Sequence, residues 1–185
     1  MVARKSLKAK SIHDLKGATV AVPMRYSGHN IGALKLIAEA GLEDNIRLVE
    51  MNPPDMASAL AAGALDAYFV GEPFAAQTIT SGDADRIFYV EEVWPNFICN
   101  LLLVKNRLIQ TKPSAVRHLV EGAVRSGIWA EHNVSQAAEI ASTYWGQPQA
   151  LVEYALNTPE KRIVYDHYVP VGEELQYMAR LMVQF

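Results

Sequence analysis

"ATVAVPMRYSGHNIGALKLIAEAG", residues 18–41, runs from a strand through a turn into a helix. Val20, Ala21 and Val22 make a short β-favouring apolar run. From Gly28 onward, Ile31, Leu34, Ile37 and Ala38 recur at helical spacing, and Gly41 is placed to stop the helix. Between strand and helix sit Arg25, Tyr26, Ser27, Gly28, His29 and Asn30, all small, polar or aromatic.

The same alternation continues outward. "IRLVEM" reads as a second strand, and "PPDMASALAAG" as a helix with Pro54 near its first turn, Asp55 able to cap it and Gly63 ending it. "LDAYFV" is a third strand, and "GEPFAAQTITSG" a turn and helix; "RIFYV" and "FICNLLLV" read as two more strands. Strands joined one after another by short helices predict parallel β-α-β units with helices on both faces of a sheet. Residues from about Gly17 to Val93 are therefore expected to form one compact α/β lobe around a mostly parallel sheet. After Val104 only helices are predicted. One opens at Pro113 and carries Val116, Leu119, Val120, Ala123, Val124 and Ile128, and Asn133 is placed to cap the next, with Gln136 three residues on. Further helices end at Gly146 and before Pro159, and "GEELQYMARLMVQF" is a last amphipathic run.

Composition limits the function. The chain has 185 residues, half of them hydrophobic, and a net charge of −3, so nothing draws it generally to nucleic acid or an anionic membrane. No apolar run reaches the roughly 18 residues of a membrane span. "MVARKSLKAKSIHDLKG" has early positive charge without an apolar core after it, so it does not read as a signal peptide. Cys99, the only cysteine, lies in an apolar run and is expected to be a buried, inert thiol. The five histidines, His13, His29, His118, His132 and His167, lack metal-ligand spacing, and neither a nucleophile elbow nor a phosphate-binding loop is present. No cofactor is called for, and Asp66 reads as a turn or edge carboxylate.

Three places are suited to hold a ligand, because in open parallel sheets ligands bind beyond the carboxyl ends of the strands. The first is the turn from Pro23 to Asn30. A helix starting near Gly28 leaves unpaired N–H groups and a partial positive charge there, to which Ser27, Asn30, His29 and Arg25 add polar groups. Capping alone is the competing explanation for Ser27. The second is "VGEPF", where Gly71 permits close backbone approach, Pro73 suits a first helical turn, and Glu72 is either a ligand contact or a cap. The third is "VWPNF", where Trp94 and Asn96 offer an aromatic wall and an amide, with a core role the alternative for Trp94.

In order and spacing, "SIHDLKGATVAVP", "ALAAGALDAYFVGEPFAAQ" and "NLLLVKNRLIQTKP" resemble the ABC-transporter solute-binding proteins for nitrate, sulfonates, taurine and bicarbonate, a group with relatives that bind thiamin precursors. The resemblance covers about Ser11 to Phe185. It implies a periplasmic-binding-protein-like (type II) α/β fold whose two lobes close over a small solute, an ABC permease as partner, and a periplasmic or lipid-anchored location. It further implies residues 1–16 as an inter-lobe crossing, 17–94 as the ligand-binding lobe, and 95–185 as the return crossing and helical remainder of the other lobe. Tyr26–Asn30 would form one wall of the cleft, Gly71, Glu72 and Pro73 another part, and Trp94–Asn96 would lie near the return crossing. Relatives carry a first-lobe segment ahead of "DLKG" and continue past "ARLMVQF", so the second lobe is expected to be incomplete, with "FICNLLLV" its lone strand. Exchange between chains to give a homo-oligomer, rearranged helices, or aggregation are the expected outcomes. An effector-sensing module of a regulator and an enzyme of pyrimidine or thiamin-precursor metabolism are the alternative functions. Nitrate, a sulfonate, a carboxylate or a neutral pyrimidine would each suit such a cleft.

Overall fold

A computed structural model describes all residues except Lys161, Val164, Asp166 and His167. His167, one of the histidines considered above, therefore lies outside the described residues. Met1–Phe97 together with Val171–Phe185 form one compact unit, and Ile98–Pro170 a second. The sequence boundary put all of 95–185 in the other lobe, whereas the last fifteen residues here group with the first unit.

The first unit is built on five strands: β1 (Val2–Arg4), β2 (Thr19–Val22), β3 (Arg47–Glu50), β4 (Ala67–Tyr68) and β5 (Ala84–Arg86). Their order is β3-β2-β4-β1-β5. β2 pairs in parallel with β3 and β4, while β1 runs antiparallel to both β4 and β5. Four strands thus point one way and β1 alone opposes them, giving the mostly parallel sheet that the alternating pattern predicts. The helices α1 (Gly28–Glu39), α2 (Pro53–Ala61), α3 (Phe74–Ser81) and α4 (Val90–Val93) follow the strands, and a C-terminal helix, Gly172–Gln184, returns to the unit.

Successive side chains on a strand point to opposite faces, and here both faces are apolar. Ala3, Val20, Val22, Ala67 and Phe69 bury into one core with Ala33 and Ile37 of α1. Val2, Ala21, Tyr68 and Val70 bury into the other with Met56 and Leu60 of α2 and Ala75 of α3. Two covered faces explain why these strands read as continuous apolar runs rather than alternating ones. Tyr68 is polar in an apolar layer, and its hydroxyl is satisfied there: it donates to Phe74 O at 2.9 Å and lies 2.6 Å from Thr78 Oγ1. Burial pushes the phenol pKa up to about 12, so the bond persists at all ordinary pH.

Asp66, the carboxylate of the Ala-Leu-Asp-Ala run, joins three strands. It pairs with the Arg4 guanidinium of β1 and accepts the Thr19 N–H of β2 at 2.9 Å, immediately before β4 begins. It is a structural group, not a general base. Asp66→Ala would strand a half-buried guanidinium and an amide together, and is expected to cost about 1–3 kcal/mol. Urea denaturation of the variant checks this, and a midpoint equal to that of the parent chain would contradict it.

Three strand expectations are corrected. Val2–Arg4 is a strand, although the sequence reading gave residues 1–16 only a crossing role; three residues are too few for a periodic pattern to show. "RIFYV" shifts: β5 ends at Arg86, where its pairing with β1 stops, and Val90 already opens α4. "FICNLLLV" forms no strand, and Cys99–Leu103 are exposed, Leu103 by 85%. A strand needs a neighbour to satisfy its backbone groups, and no strand is described in the second unit to provide one. Cys99 is accordingly exposed rather than buried in a sheet, although its thiol is shielded enough for burial to raise its pKa.

The second unit contains α5 (Asn106–Thr111), α6 (Pro113–His132), α7 (Val134–Trp145) and α8 (Gln149–Asn157); the C-terminal helix of the first unit is α9. Pro113 opens α6 and Gly146, at φ +60°, closes α7, both as expected. Asn133 precedes α7 but does not cap it; its amide turns back to donate to Trp129 O at 2.8 Å. α7 and α8 pack through small side chains, burying Ala137, Ala138, Val152 and Ala155. Gly127 lets Tyr165 and Tyr168 come close to α6, where a Cβ would stand 2.6 Å from Tyr168 Oη. Much of the apolar surface stays open: Leu119, Val120, Ile128, Ile140, Tyr144 and Trp145 are all exposed.

Candidate functional site

The turn between β2 and α1 is closed by its own polar groups. Ser27 Oγ accepts the Asn30 N–H at 3.1 Å, the cap of α1, and donates to Met24 O at 2.9 Å. The Asn30 side-chain amide donates to Arg25 O, and the Arg25 N–H donates to the Glu50 carboxylate at 3.0 Å. Ser27 and Asn30 are therefore committed to holding the loop in shape. Ser27→Ala removes a cap and a turn bond together, and is expected to lower stability by about 1 kcal/mol in thermal or urea unfolding. A variant as stable as the parent would show that the cap is not formed.

The groups left unspent lie at the start of the helix. The N–H groups of Gly28 and His29 make no hydrogen bond among the described residues, as first-turn amides lack intrahelical partners. The His29 ring is 9% exposed and likewise makes no hydrogen bond among the described residues. Its packing is aromatic, edge-on to Phe69 at 5.2 Å and to Phe97 at 5.4 Å between ring centroids. Burial, with a smaller push from the Met1 ammonium, lowers its pKa to about 4, so the imidazole is neutral at pH 7. Gly71 abuts it: a Cβ at that position would lie 3.8 Å from His29 Cε1 and 3.9 Å from Nε2.

The structure thus brings Gly28, His29 and Gly71 together from two separate turns. The other sequence candidates fall in different places. Arg25 and Tyr26 are exposed, with the guanidinium carbon 5.6 Å from the Tyr26 ring centre. Glu72 Oε2 accepts the Ala76 N–H at 2.9 Å in the first turn of α3, which is the capping role, and Pro73 is buried beside it. Trp94 is 5% exposed and packs with Ile31 and Leu181, its ring edge-on to Phe97 and Tyr177, so the core reading describes it. Asn96 is exposed and left-handed at φ +58°. Sequence reasoning missed Phe69 and Phe97 as neighbours of His29. Phe69 was legible only as a strand residue, and nothing in the spacing of "VWPNF" aims Phe97 at a histidine so far away in the chain.

An unsatisfied helix N-terminus with a buried neutral donor or acceptor beside it is suited to an anion or to the polar end of an organic solute. Among the described residues, no group of three or more His, Cys, Asp or Glu is placed to hold a metal.

Comparison with known proteins bears on the family and the fold. The sequence model of the NMT1-like family matches residues 2–144, and the chain belongs to that family. A Bacillus subtilis (strain 168) protein named for aliphatic-sulfonate binding is 24% identical over 168 residues, which cover 89% of this chain and 50% of the relative. The chain spans about half the length of the curated relatives it matches. Among solved structures, the ligand-binding component of an ABC-type import system from Staphylococcus aureus, determined with zinc bound, superposes with a TM-score of 0.80 at 19% identity, covering 99% of this chain and 62% of that one. The periplasmic aliphatic sulphonate binding protein SsuA of Escherichia coli gives 0.78 at 17% identity, covering 100% and 58%. The desulfurization enzyme DSZB shares the fold more distantly, at 0.58 and 15% identity, covering 99% and 67%. The likeness to ABC solute-binding proteins read from the sequence is therefore borne out, as is the α/β periplasmic-binding-protein-like fold.

Proposed function

We propose that the chain is the solute-binding part of an ABC importer, working outside the cytoplasmic membrane and passing a small anion or organic solute to a membrane permease. The observation that carries this reading is the unsatisfied start of α1, where the free amides of Gly28 and His29 and the unpartnered imidazole meet Gly71. Nitrate, bicarbonate, taurine, an alkanesulfonate and a pyrimidine are the solutes to screen. A ligand that binds only the native chain raises its unfolding temperature, by about 2.7 kcal/mol of stabilisation at a hundredfold excess over Kd. Thermal shifts from one of these solutes, with amide shifts at Gly28 and His29, support the reading; no shift from any of them counts against it.

An enzyme on the same fold is the second reading, since DSZB is one. The only thiol here, Cys99, has a raised pKa and no base among its hydrogen-bond partners, which disfavours its use as a nucleophile. Turnover of a bound solute would favour the enzyme.

Self-association of the 185-residue chain belongs to the proposal. Trp129, Ile140, Tyr144 and Trp145 line an open apolar cavity of about 620 Å³ in the second unit, and Leu101, Leu102 and Leu103 of the same unit are also exposed. Exposed apolar area of this kind favours association. Light scattering is expected to show a mass that rises with concentration, and Ile140→Glu with Trp145→Glu to suppress the rise. A constant monomer mass at all concentrations would contradict it.

A further inference from the structure

We propose that an anion seated at the start of α1 is bound together with a proton, which His29 takes up. The inference rests on the solute-site reading above and concerns how that site is regulated.

Its basis is what surrounds the ring. His29 occupies the first turn of α1, where the partial positive charge of the helix opposes an imidazolium. Phe69 and Phe97 pack against the ring in T-shaped contacts and bring no charge to it, and Gly71 presents only backbone. The charged and titratable groups on the neighbouring elements are Arg25 and Tyr26 on the same turn, Lys35 and Glu39 along α1, Arg47 and Glu50 on β3, Tyr68 on β4, Glu72 ahead of α3, Tyr89, Glu91 and Glu92 at α4, Glu173, Glu174, Tyr177 and Arg180 on α9, and the Met1 ammonium. The Glu50 and Glu72 carboxylates accept the Arg25 and Ala76 N–H groups, and among the described residues the charge that acts on the ring is the ammonium, which is also positive. Among the described residues, therefore, no carboxylate acts on the ring as a counter-charge to an imidazolium.

An anion on the Gly28 and His29 amides supplies that missing charge beside the ring and reverses the balance. Linkage is reciprocal: if the anion raises the proton affinity of His29, the proton raises anion affinity by the same factor. Over the interval between the free and anion-bound pKa values, affinity should rise about tenfold for each unit fall in pH. Such a site holds its solute tightly in an acidic surrounding and releases it as the pH rises.

Methanesulfonate is a suitable probe because its own charge does not change across the range. The Cε1–H resonance of His29 in the isotopically labelled chain is followed by NMR against pH, with and without methanesulfonate at constant ionic strength. Upward movement of the midpoint by about one pH unit or more, equivalent to at least tenfold coupling, is expected. His29→Gln should bind with pH-independent affinity and no proton uptake, read by calorimetry in buffers of different ionisation enthalpy. If the Gly28 and His29 amides respond while the midpoint stays put, the coupling is overturned and the site stands. If neither responds, both the coupling and the site are overturned for this anion.

Discussion

Replacing Phe69 with alanine is expected to cost about 3–5 kcal/mol, a large fraction of the stability of a domain of this size. The ring is 1% exposed and lies in the core between the sheet and α1, with Val20, Val22, Ala33 and Ile37 around it. The glycine at position 32 brings the helix backbone down onto it: a Cβ there would stand only 3.3 Å from Phe69 Cε1. Phe69 is also edge-on to both His29 and Phe88, and such pairs add about 0.5–1.5 kcal/mol beyond the area they bury. Neighbours held by a helix on one side and a sheet on the other cannot collapse freely into the void, which puts the cost in the upper part of the large-to-small range. In urea the midpoint should fall with little change in slope. Phe69→Leu keeps most of the volume and should lose much less. A Phe69→Ala chain within about 1 kcal/mol of the parent would mean that the ring is not packed as described. The substitution reaches the site as well, because it removes one of the two aromatic walls of His29.

That double role shows how far the sequence could be read. The alternation of strand and helix from Thr19 to Ser81 was legible because each strand is apolar on both faces and each helix closes on a turn residue, as at Gly41, Gly63 and Gly82, all left-handed here. The turn before α1 was legible as a place for a ligand because a helix start always leaves amides free. What those residues do there was not legible. Ser27, Asn30 and His29 are all polar and adjacent, yet two spend their hydrogen bonds on the loop and one spends none. That division is set by contacts with Met24, Arg25, Phe69 and Phe97, most of which a local pattern does not encode. "FICNLLLV" failed for a related reason. Its apolar run states that it should be covered, not by what, and a strand exists only where a second one lies beside it. The three residues of β1 are the converse case: too short to show a pattern, they become a strand because β4 and β5 flank them.

Lowering the pH from 7 to 5 should destabilise the first unit by about 2 kcal/mol through His29 alone, and lowering it to 4 by about 3 kcal/mol. The unfolded imidazole has its ordinary pKa of 6.5, while burial holds the folded one at about 4. Between those values the unfolded chain binds a proton that the native chain does not. Stability therefore rises with pH in this window, is fully present above about 6.5, and drains away as the pH falls towards 4. The upper half of the window is the diagnostic part, because most carboxylates remain ionised there. Asp14 is further removed from interference, since hydrogen bonds from the Lys10 and Ser11 N–H groups and the Ser11 hydroxyl hold its pKa below the usual carboxylate value. Urea midpoints at pH 7, 6 and 5 should fall progressively for the parent chain, while His29→Gln, which has nothing to titrate, should stay level over the same interval. Equal slopes for the two chains would place the pH dependence elsewhere and return His29 to an ordinary titration. A steep parent and a level variant would establish the buried neutral imidazole on which the proposed proton coupling depends.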